Sequence, residues 1–166
     1  MAKIITAAEA ADLIRDGMTL GVSGFGAFAS PDYVMEAMSR KFKEQNTPRD
    51  LTIVSGVAPG DFVEDGCGLS KIKDAGIIRT LIASHLRMSP AIGRACSENK
   101  IAAFSMPLGV YGQLMNAIGG KRPGILTHVG LNTYADPRQD GCKMNELAKA
   151  DGRELVELIH VSGKDY

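Results

Sequence analysis

The fold is decided by one stretch near the N-terminus, Met18-Thr19-Leu20-Gly21-Val22-Ser23-Gly24-Phe25-Gly26-Ala27-Phe28-Ala29-Ser30-Pro31. Its pattern predicts a short apolar strand, a glycine turn and a helix that begins at Ser30, with Pro31 in the first helical position. The first backbone N–H groups of a helix have no intrahelical partner and carry partial positive charge, which favours an anion nearby. The glycine spacing matches neither the dinucleotide fingerprint nor the phosphate-binding P-loop. Two interpretations are therefore open, a turn that needs glycine for its geometry and a site for an anionic ligand.

On both sides of this stretch, helical and strand patterns alternate. Upstream, Thr6 and Glu9 form a capping box for a helix that is predicted to end at Gly17. Downstream, strands are predicted at 51–54, 77–83, 101–106 and 154–161, and helices after 30, within 62–76, from 89 to about 99, and from 110 to 118.

This alternation predicts a parallel sheet with right-handed crossovers. Ligands of such sheets bind at the carboxyl ends of the strands. We therefore expect the loops 23–30, 55–61, 84–88 and 106–109 to share one edge. Residues 121–151 show no clean period, and an excursion of this length is usually functional or covered by a partner.

Composition and charge narrow the class of protein. The 166 residues suit one domain, and the 45% hydrophobic and 23% charged residues are ordinary for a globular protein. Nineteen basic and nineteen acidic residues cancel, and no basic face is evident, which disfavours nucleic-acid binding. Apolar stretches are far shorter than the roughly 20 residues of a membrane span, and no signal-peptide pattern is present. We therefore predict a cytoplasmic protein that contacts neither membrane nor nucleic acid.

The cysteines and histidines do not have the spacing of a metal site. No C-x-x-C motif is present, and the histidines are far apart in the sequence. We interpret the thiols as buried or incidental in a reducing compartment and predict no metal. The residues concerned are Cys67, Cys96, Cys142, His85, His128 and His160.

Several blocks of the chain together resemble the family I coenzyme A transferases. The most specific part is 122–145, from Arg122-Pro123-Gly124 to Lys143-Met144-Asn145, which is similar to the single-chain acyl-CoA:acetate, propionate or 3-oxoacid transferases. The other blocks are Gly24-Phe25-Gly26 with Ser30-Pro31, Ser84-His85, and Met106-Pro107-Leu108-Gly109.

The resemblance implies an open, mostly parallel α/β sheet with helices on both faces. It also implies a ping-pong reaction in which a glutamate takes CoA from an acyl-CoA and passes it to a short carboxylate, with CoA as substrate and no cofactor. Backbone N–H groups of the glycine turn would stabilise the reacting carbonyl. The implied oxyanion and substrate-binding residues are Ser23, Gly24, Phe25, Gly26, Pro107, Leu108 and Gly109, with His85 as a further candidate. Leu108 departs from the family, since many members have glutamine there.

The family's catalytic glutamate has no convincing counterpart in this sequence. Ser97-Glu98-Asn99-Lys100 imitates its motif, but Lys100 replaces a glycine, and we interpret Glu98 as a solvated residue at a helix end. We therefore expect the glutamate beyond Tyr166 and interpret 1–166 as an incomplete N-terminal portion that is inactive alone. Truncation is favoured over a natural fragment and over a diverged remnant. A C-terminal half or second subunit would complete it, and exposed apolar faces predict a homo-oligomer.

Two alternative functions remain open at this stage. The first is a noncatalytic CoA-binding or regulatory module that keeps the fold without the glutamate. The second is a sugar-phosphate isomerase, since glycine turns can hold phosphate. It is disfavoured because no acid–base pair follows the glycine loops.

Overall fold

Four short strands pair side by side, all parallel, in the computed structural model, which describes residues 3–166. The register aligns Ile53 with Leu81 and Leu81 with Ala103 on one face, while Val54, Ile82 and Phe104 align on the other. This alternation follows from the two-residue period of a strand. In sheet order the strands are β1 (Thr19–Val22), β2 (Leu51–Ser55), β3 (Ile78–Ala83) and β4 (Ala102–Ser105).

Helices cover both faces of the sheet, as the resemblance implied. The larger core packs three helices and a 3₁₀ helix against one face, and Met35, Leu69 and Ile92 are fully or almost fully buried there. The smaller core packs Ala148 and Leu155 near Phe104 on the other face. The helices are α1 (Ala7–Asp12), α2 (Asp32–Gln45), the 3₁₀ helix Gly68–Ile72, α3 (Pro90–Ser97), α4 (Leu108–Gly119) and α5 (Glu146–Ala150).

Two predicted helix boundaries near the opening stretch are wrong. The capping box of Thr6 forms, but α1 ends at Asp12 instead of Gly17, whose left-handed backbone (φ 72°) turns the chain into β1. Likewise α2 begins at Asp32, one residue after Pro31, which was predicted to be the first helical residue and is instead the N-cap. Pro31 has ψ 56°, which is not helical, and the Ser30 hydroxyl has no hydrogen-bond partner among residues 3–166.

The predicted last strand, 154–161, does not join the sheet. Of this run only His160–Val161 (β5) forms a strand, and it pairs antiparallel with Lys164–Asp165 (β6) in a separate hairpin. The reason is that the edge of β4 is already occupied. The Ser105 N–H donates to the Cys142 carbonyl at 2.8 Å, and the Met144 N–H donates to the Ala103 carbonyl at 2.9 Å.

The other predicted elements are confirmed with small shifts of their ends, except that the helix within 62–76 is a 3₁₀ helix. The aperiodic segment 121–151 contains only the short α5, and its residues 142–144 protect the sheet edge from pairing with another chain. Within residues 3–166, every helix is too short or too polar to cross a lipid bilayer.

Candidate functional site

Loops that follow the four strands meet at the carboxyl edge of the sheet, as predicted. Backbone hydrogen bonds connect neighbouring loops directly, so the edge is one continuous surface. These bonds run from the Gly60 N–H to the Gly26 carbonyl (3.0 Å), from the Ala58 N–H to the His85 carbonyl (3.0 Å), and from the Met106 N–H to the Ala83 carbonyl (3.2 Å).

The glycine turn after β1 requires glycine at position 24. Gly24 has φ 129°, a conformation that side chains rarely adopt. A Cβ atom there would lie 3.0 Å from the Pro59 Cβ and 3.3 Å from the Ser30 Cα. The backbone geometry alone thus explains why position 24 is glycine. The close approach of Gly24 to Pro59 also packs the turn against the loop that follows β2.

The backbone donors of the turn are not equally free. Phe25 and Phe28 exchange two backbone hydrogen bonds, with N···O distances of 3.0 and 3.1 Å, so the Phe25 N–H is occupied. The Gly26 N–H faces the Met88 sulfur at 3.2 Å, and a thioether is a weak acceptor. Among residues 3–166, no hydrogen-bond partner is found for the Gly24 N–H. The Ala27 N–H likewise has no partner among these residues, so the turn 24–28 offers two free donors and one weakly held donor.

Ser23 supports the turn. Its hydroxyl donates to the Ala29 carbonyl at 3.0 Å, across the turn. Ala29 has a left-handed backbone (φ 56°), which directs the chain into α2. The Ser23 hydroxyl therefore holds the turn in shape in this conformation.

The second predicted substrate turn forms the start of α4. Pro107 is the N-cap, and its carbonyl accepts a hydrogen bond from the Tyr111 N–H at 3.0 Å. Leu108 and Gly109 are the first helical residues, so their N–H groups have no intrahelical acceptor. Leu108 is 48% exposed at this edge, and its side chain carries no hydrogen-bonding group. The turn offers backbone donors beside an apolar side chain.

Tyr111 belongs to this edge, although it was not among the predicted site residues. A Cβ atom placed on Gly56 would lie 3.2 Å from Leu108 Cδ1 and 3.3 Å from both Cδ1 and Cε1 of Tyr111. The start of α4 therefore reaches across β3 to the loop that follows β2. Burial raises the pKa of the Tyr111 hydroxyl. The three-residue spacing of Leu108 and Tyr111 on a helix could have indicated a shared face.

A chain of polar groups underlies this part of the edge. The Tyr134 and Ser105 hydroxyls are 2.9 Å apart, and the Ser105 hydroxyl lies 2.9 Å from the Ser84 carbonyl. The Ser84 hydroxyl in turn donates to the Gly56 carbonyl. These contacts join the aperiodic segment 121–151 to the ends of β2, β3 and β4.

Two of the three histidines, His128 and His160, both contact Asp165. His85 is exposed in the loop after β3, and only its carbonyl takes part in a hydrogen bond within the described chain. The His128 Nδ1 is 3.0 Å from the Asp165 carbonyl, and its ring stacks on Tyr166. The His160 Nδ1 is 3.0 Å from the Asp165 carboxylate. In residues 3–166 no three His, Cys, Asp or Glu side chains are grouped as metal ligands would be.

Two of the three cysteines are buried, Cys67 is half-buried, and Glu98 is exposed. All three cysteines are free, and burial raises the pKa of Cys96 to about 12 and that of Cys142 to about 11. Glu98 caps the end of α3 and lies 2.6 Å from the Lys100 ammonium, whose hydrogen bond lowers its pKa. These positions agree with thiols that serve packing and with a solvated helix-end glutamate.

The segment with the most specific resemblance serves to hold the fold together. The Asp136 carboxylate, 2% exposed, accepts hydrogen bonds from the Asn132 N–H at 2.7 Å and from the Arg138 guanidinium at 2.7 Å. The Arg138 hydrogen bonds hold the pKa of Asp136 well below its usual range. Asn145 links α3, β4 and α5 through its side-chain amide.

Comparison with known proteins identifies the family. A family model described as Coenzyme A transferase matches residues 4–165. The chain is 40% identical over 166 residues to the caffeate CoA-transferase of Acetobacterium woodii, covering 100% of this chain and 31% of that protein. It is 29% identical over 134 residues to the acetate CoA-transferase subunit alpha of Escherichia coli K12, covering 81% of this chain and 57% of the subunit.

A solved structure shows the same fold. The crystal structure of the acyl-CoA transferase YdiF apoenzyme from Escherichia coli O157:H7 matches with a TM-score of 0.89 at 33% identity, covering 98% of this chain and 31% of that one. The chain thus spans about a third of the length of YdiF and of the caffeate enzyme. A match along 4–165 and a shared fold together show that this chain belongs to the coenzyme A transferase family.

Proposed function

We propose that residues 1–166 form the carbonyl-binding portion of an enzyme that exchanges CoA between a short-chain acyl-CoA and a carboxylate. The observation that carries this proposal is the free Gly24 N–H at the sheet edge where the start of α4 also lies. Negative charge develops on the thioester oxygen as the carbonyl is attacked, and a fixed backbone donor stabilises it. The Gly26 N–H can join because its thioether acceptor is weak.

The proposed reaction proceeds by covalent catalysis. A glutamate carboxylate attacks the thioester carbon, the C–S bond breaks, and an acyl-glutamyl anhydride and CoA thiolate result. The thiolate then attacks the glutamyl carbonyl, releasing the first carboxylate and forming a glutamyl-CoA thioester. An acceptor carboxylate reverses both steps, so no water or redox partner enters the balance. We propose that polypeptide outside 1–166 supplies the glutamate.

The proposed partner is therefore a C-terminal half or a second subunit. The likeness to a subunit named as alpha supports a second chain, whereas the likeness to YdiF supports a continuation of the same chain. Coenzyme A acts as substrate in this proposal, no cofactor is required, and the cytoplasm is the proposed location. Homo-oligomerisation remains our prediction, and light scattering that shows only monomer would contradict it.

A chimera tests the proposal. In this chimera, residues 1–166 replace the portion of YdiF that they match. The match covers 98% of this chain. We expect exchange of CoA between acetyl-CoA and a short carboxylate by the chimera and none by purified 1–166. A folded chimera without turnover would show that this portion does not support catalysis and would favour the noncatalytic CoA-binding module. Robust turnover by 1–166 alone would contradict the assignment of the glutamate to other polypeptide.

A further inference from the structure

Two side chains at the start of α4 pack directly on the backbone of Gly56. Leu108 and Tyr111 lie so close to Gly56 that a methyl group there would be 3.2 to 3.3 Å from their carbon atoms. Real Cβ atoms rarely approach this closely, so the glycine lets the two side chains rest directly on the backbone. The contact is formed between residues more than 50 positions apart in the sequence, after β2 and after β4.

The same loop reaches the glycine turn on its other side. Pro59, three residues after Gly56, is the residue that a Cβ on Gly24 would meet at 3.0 Å. The loop from Gly56 to Pro59 therefore lies between the free Gly24 N–H and the pair Leu108 and Tyr111. The start of α4 is therefore separated from the glycine turn by the width of this loop.

The chemical character of the pair suits an aliphatic substituent. Leu108 is 48% exposed and apolar, and Tyr111 is half-buried. The Tyr111 phenol is uncharged at neutral pH because the ordinary pKa of tyrosine is about 10, and burial raises this pKa further. Neither side chain can form an ion pair with a second carboxylate on the substrate.

We infer that Leu108 and Tyr111 form the wall that limits the length of the acyl group, and that Tyr111 is a specificity-determining residue. This inference rests on the proposed function, because it places a carbonyl at Gly24 and runs the acyl chain across the 56–59 loop to Leu108 and Tyr111. The size of the Tyr111 ring limits the length of the acyl group, and the Tyr111 hydroxyl is not required for this limit.

The test measures kcat/KM of the YdiF chimera with acetyl-CoA, butyryl-CoA and hexanoyl-CoA against one common acceptor. In Tyr111→Ala and in Leu108→Ala, the ratio of hexanoyl-CoA to acetyl-CoA should rise about tenfold, because each methylene group in an apolar pocket changes kcat/KM by roughly 10-fold or more. Tyr111→Phe keeps the ring and should leave the ratio unchanged. Gln113→Ala, an exposed position on the same helix, is the matched control.

The ratio is measured within one sample, so partial unfolding of a variant does not change it. An unchanged ratio in Tyr111→Ala, with an active parent chimera, overturns the inference and leaves the proposed function standing. A change in Tyr111→Phe as large as that in Tyr111→Ala also overturns it, because the hydroxyl would then be responsible. An inactive but folded parent chimera overturns the proposed function and the inference with it.

Discussion

Replacing Asn145 with alanine should destabilise the chain strongly, because one side chain connects three elements. Its Nδ2 donates to the Cys96 and Ile101 carbonyls, each at 2.7 Å. Its Oδ1 accepts from the Ala103 N–H at 3.2 Å and from the Ala148 N–H at 3.0 Å, the latter being the N-cap bond of α5. Alanine would leave all four backbone groups without this partner.

The expected loss in the free energy of unfolding follows from the number of these hydrogen bonds and from their burial. Each intramolecular hydrogen bond contributes about 1 kcal/mol net, and a buried group that loses its partner costs somewhat more. Four such bonds at a partly buried side chain give about 3 to 4 kcal/mol, a large share of the roughly 5 to 15 kcal/mol that stabilises a typical domain.

Urea unfolding of residues 1–166, followed by circular dichroism, measures this free energy. The matched control is Asn116→Ala. Asn116 lies on the exposed part of α4 and donates only to the Gly112 carbonyl one turn earlier, at 3.2 Å. That variant should change stability by about 0.5 kcal/mol or less, since alanine is the better helix former. Equal losses in the two variants would refute the structural role of Asn145.

Three further predictions concern the glycine turn, the ion pair of Asp136 with Arg138, and the thiols. Gly24→Ala should cost about 1–3 kcal/mol because alanine is strained at φ 129°, and it should lower turnover of the chimera. Unchanged melting temperature and turnover would contradict this. Asp136 has its pKa lowered by Arg138, so its contribution to stability is present above pH of about 4 and is lost as the pH falls. Asp136→Asn should therefore show a shallower loss of urea midpoint between pH 7 and pH 3, and identical slopes would count against it. Iodoacetamide should label half-buried Cys67 before buried Cys96, and simultaneous labelling by mass spectrometry would disprove this order.

The place of the glycine turn was predictable from sequence because its signals are local. Strand and helix periods and the cap-and-proline start at Ser89 depend on neighbouring residues alone. Parallel sheets bind ligands in the loops at the carboxyl ends of their strands, so the sequence also predicted that these loops lie at one edge. The roles of Gly24 and Leu108 in catalysis remain predictions.

Other features depended on contacts between distant residues. The apolar run 154–161 has the pattern of a strand, but residues 142–144 already pair with β4. Periodicity in the sequence does not indicate which edge of the sheet is occupied. The tertiary structure was also needed to identify the free amides of the turn, because the Phe25 N–H donates to the Phe28 carbonyl.

The sequence alone therefore indicated the order of the four parallel strands and of the helices between them, and it predicted the edge at which a ligand would bind. Only the tertiary structure decided which backbone donors are free there and that Tyr111 packs on Gly56. The physical reason is that periodicity and turn propensity are properties of neighbours along the chain. Hydrogen-bond partners and packing contacts are set by residues that meet only after the chain has folded.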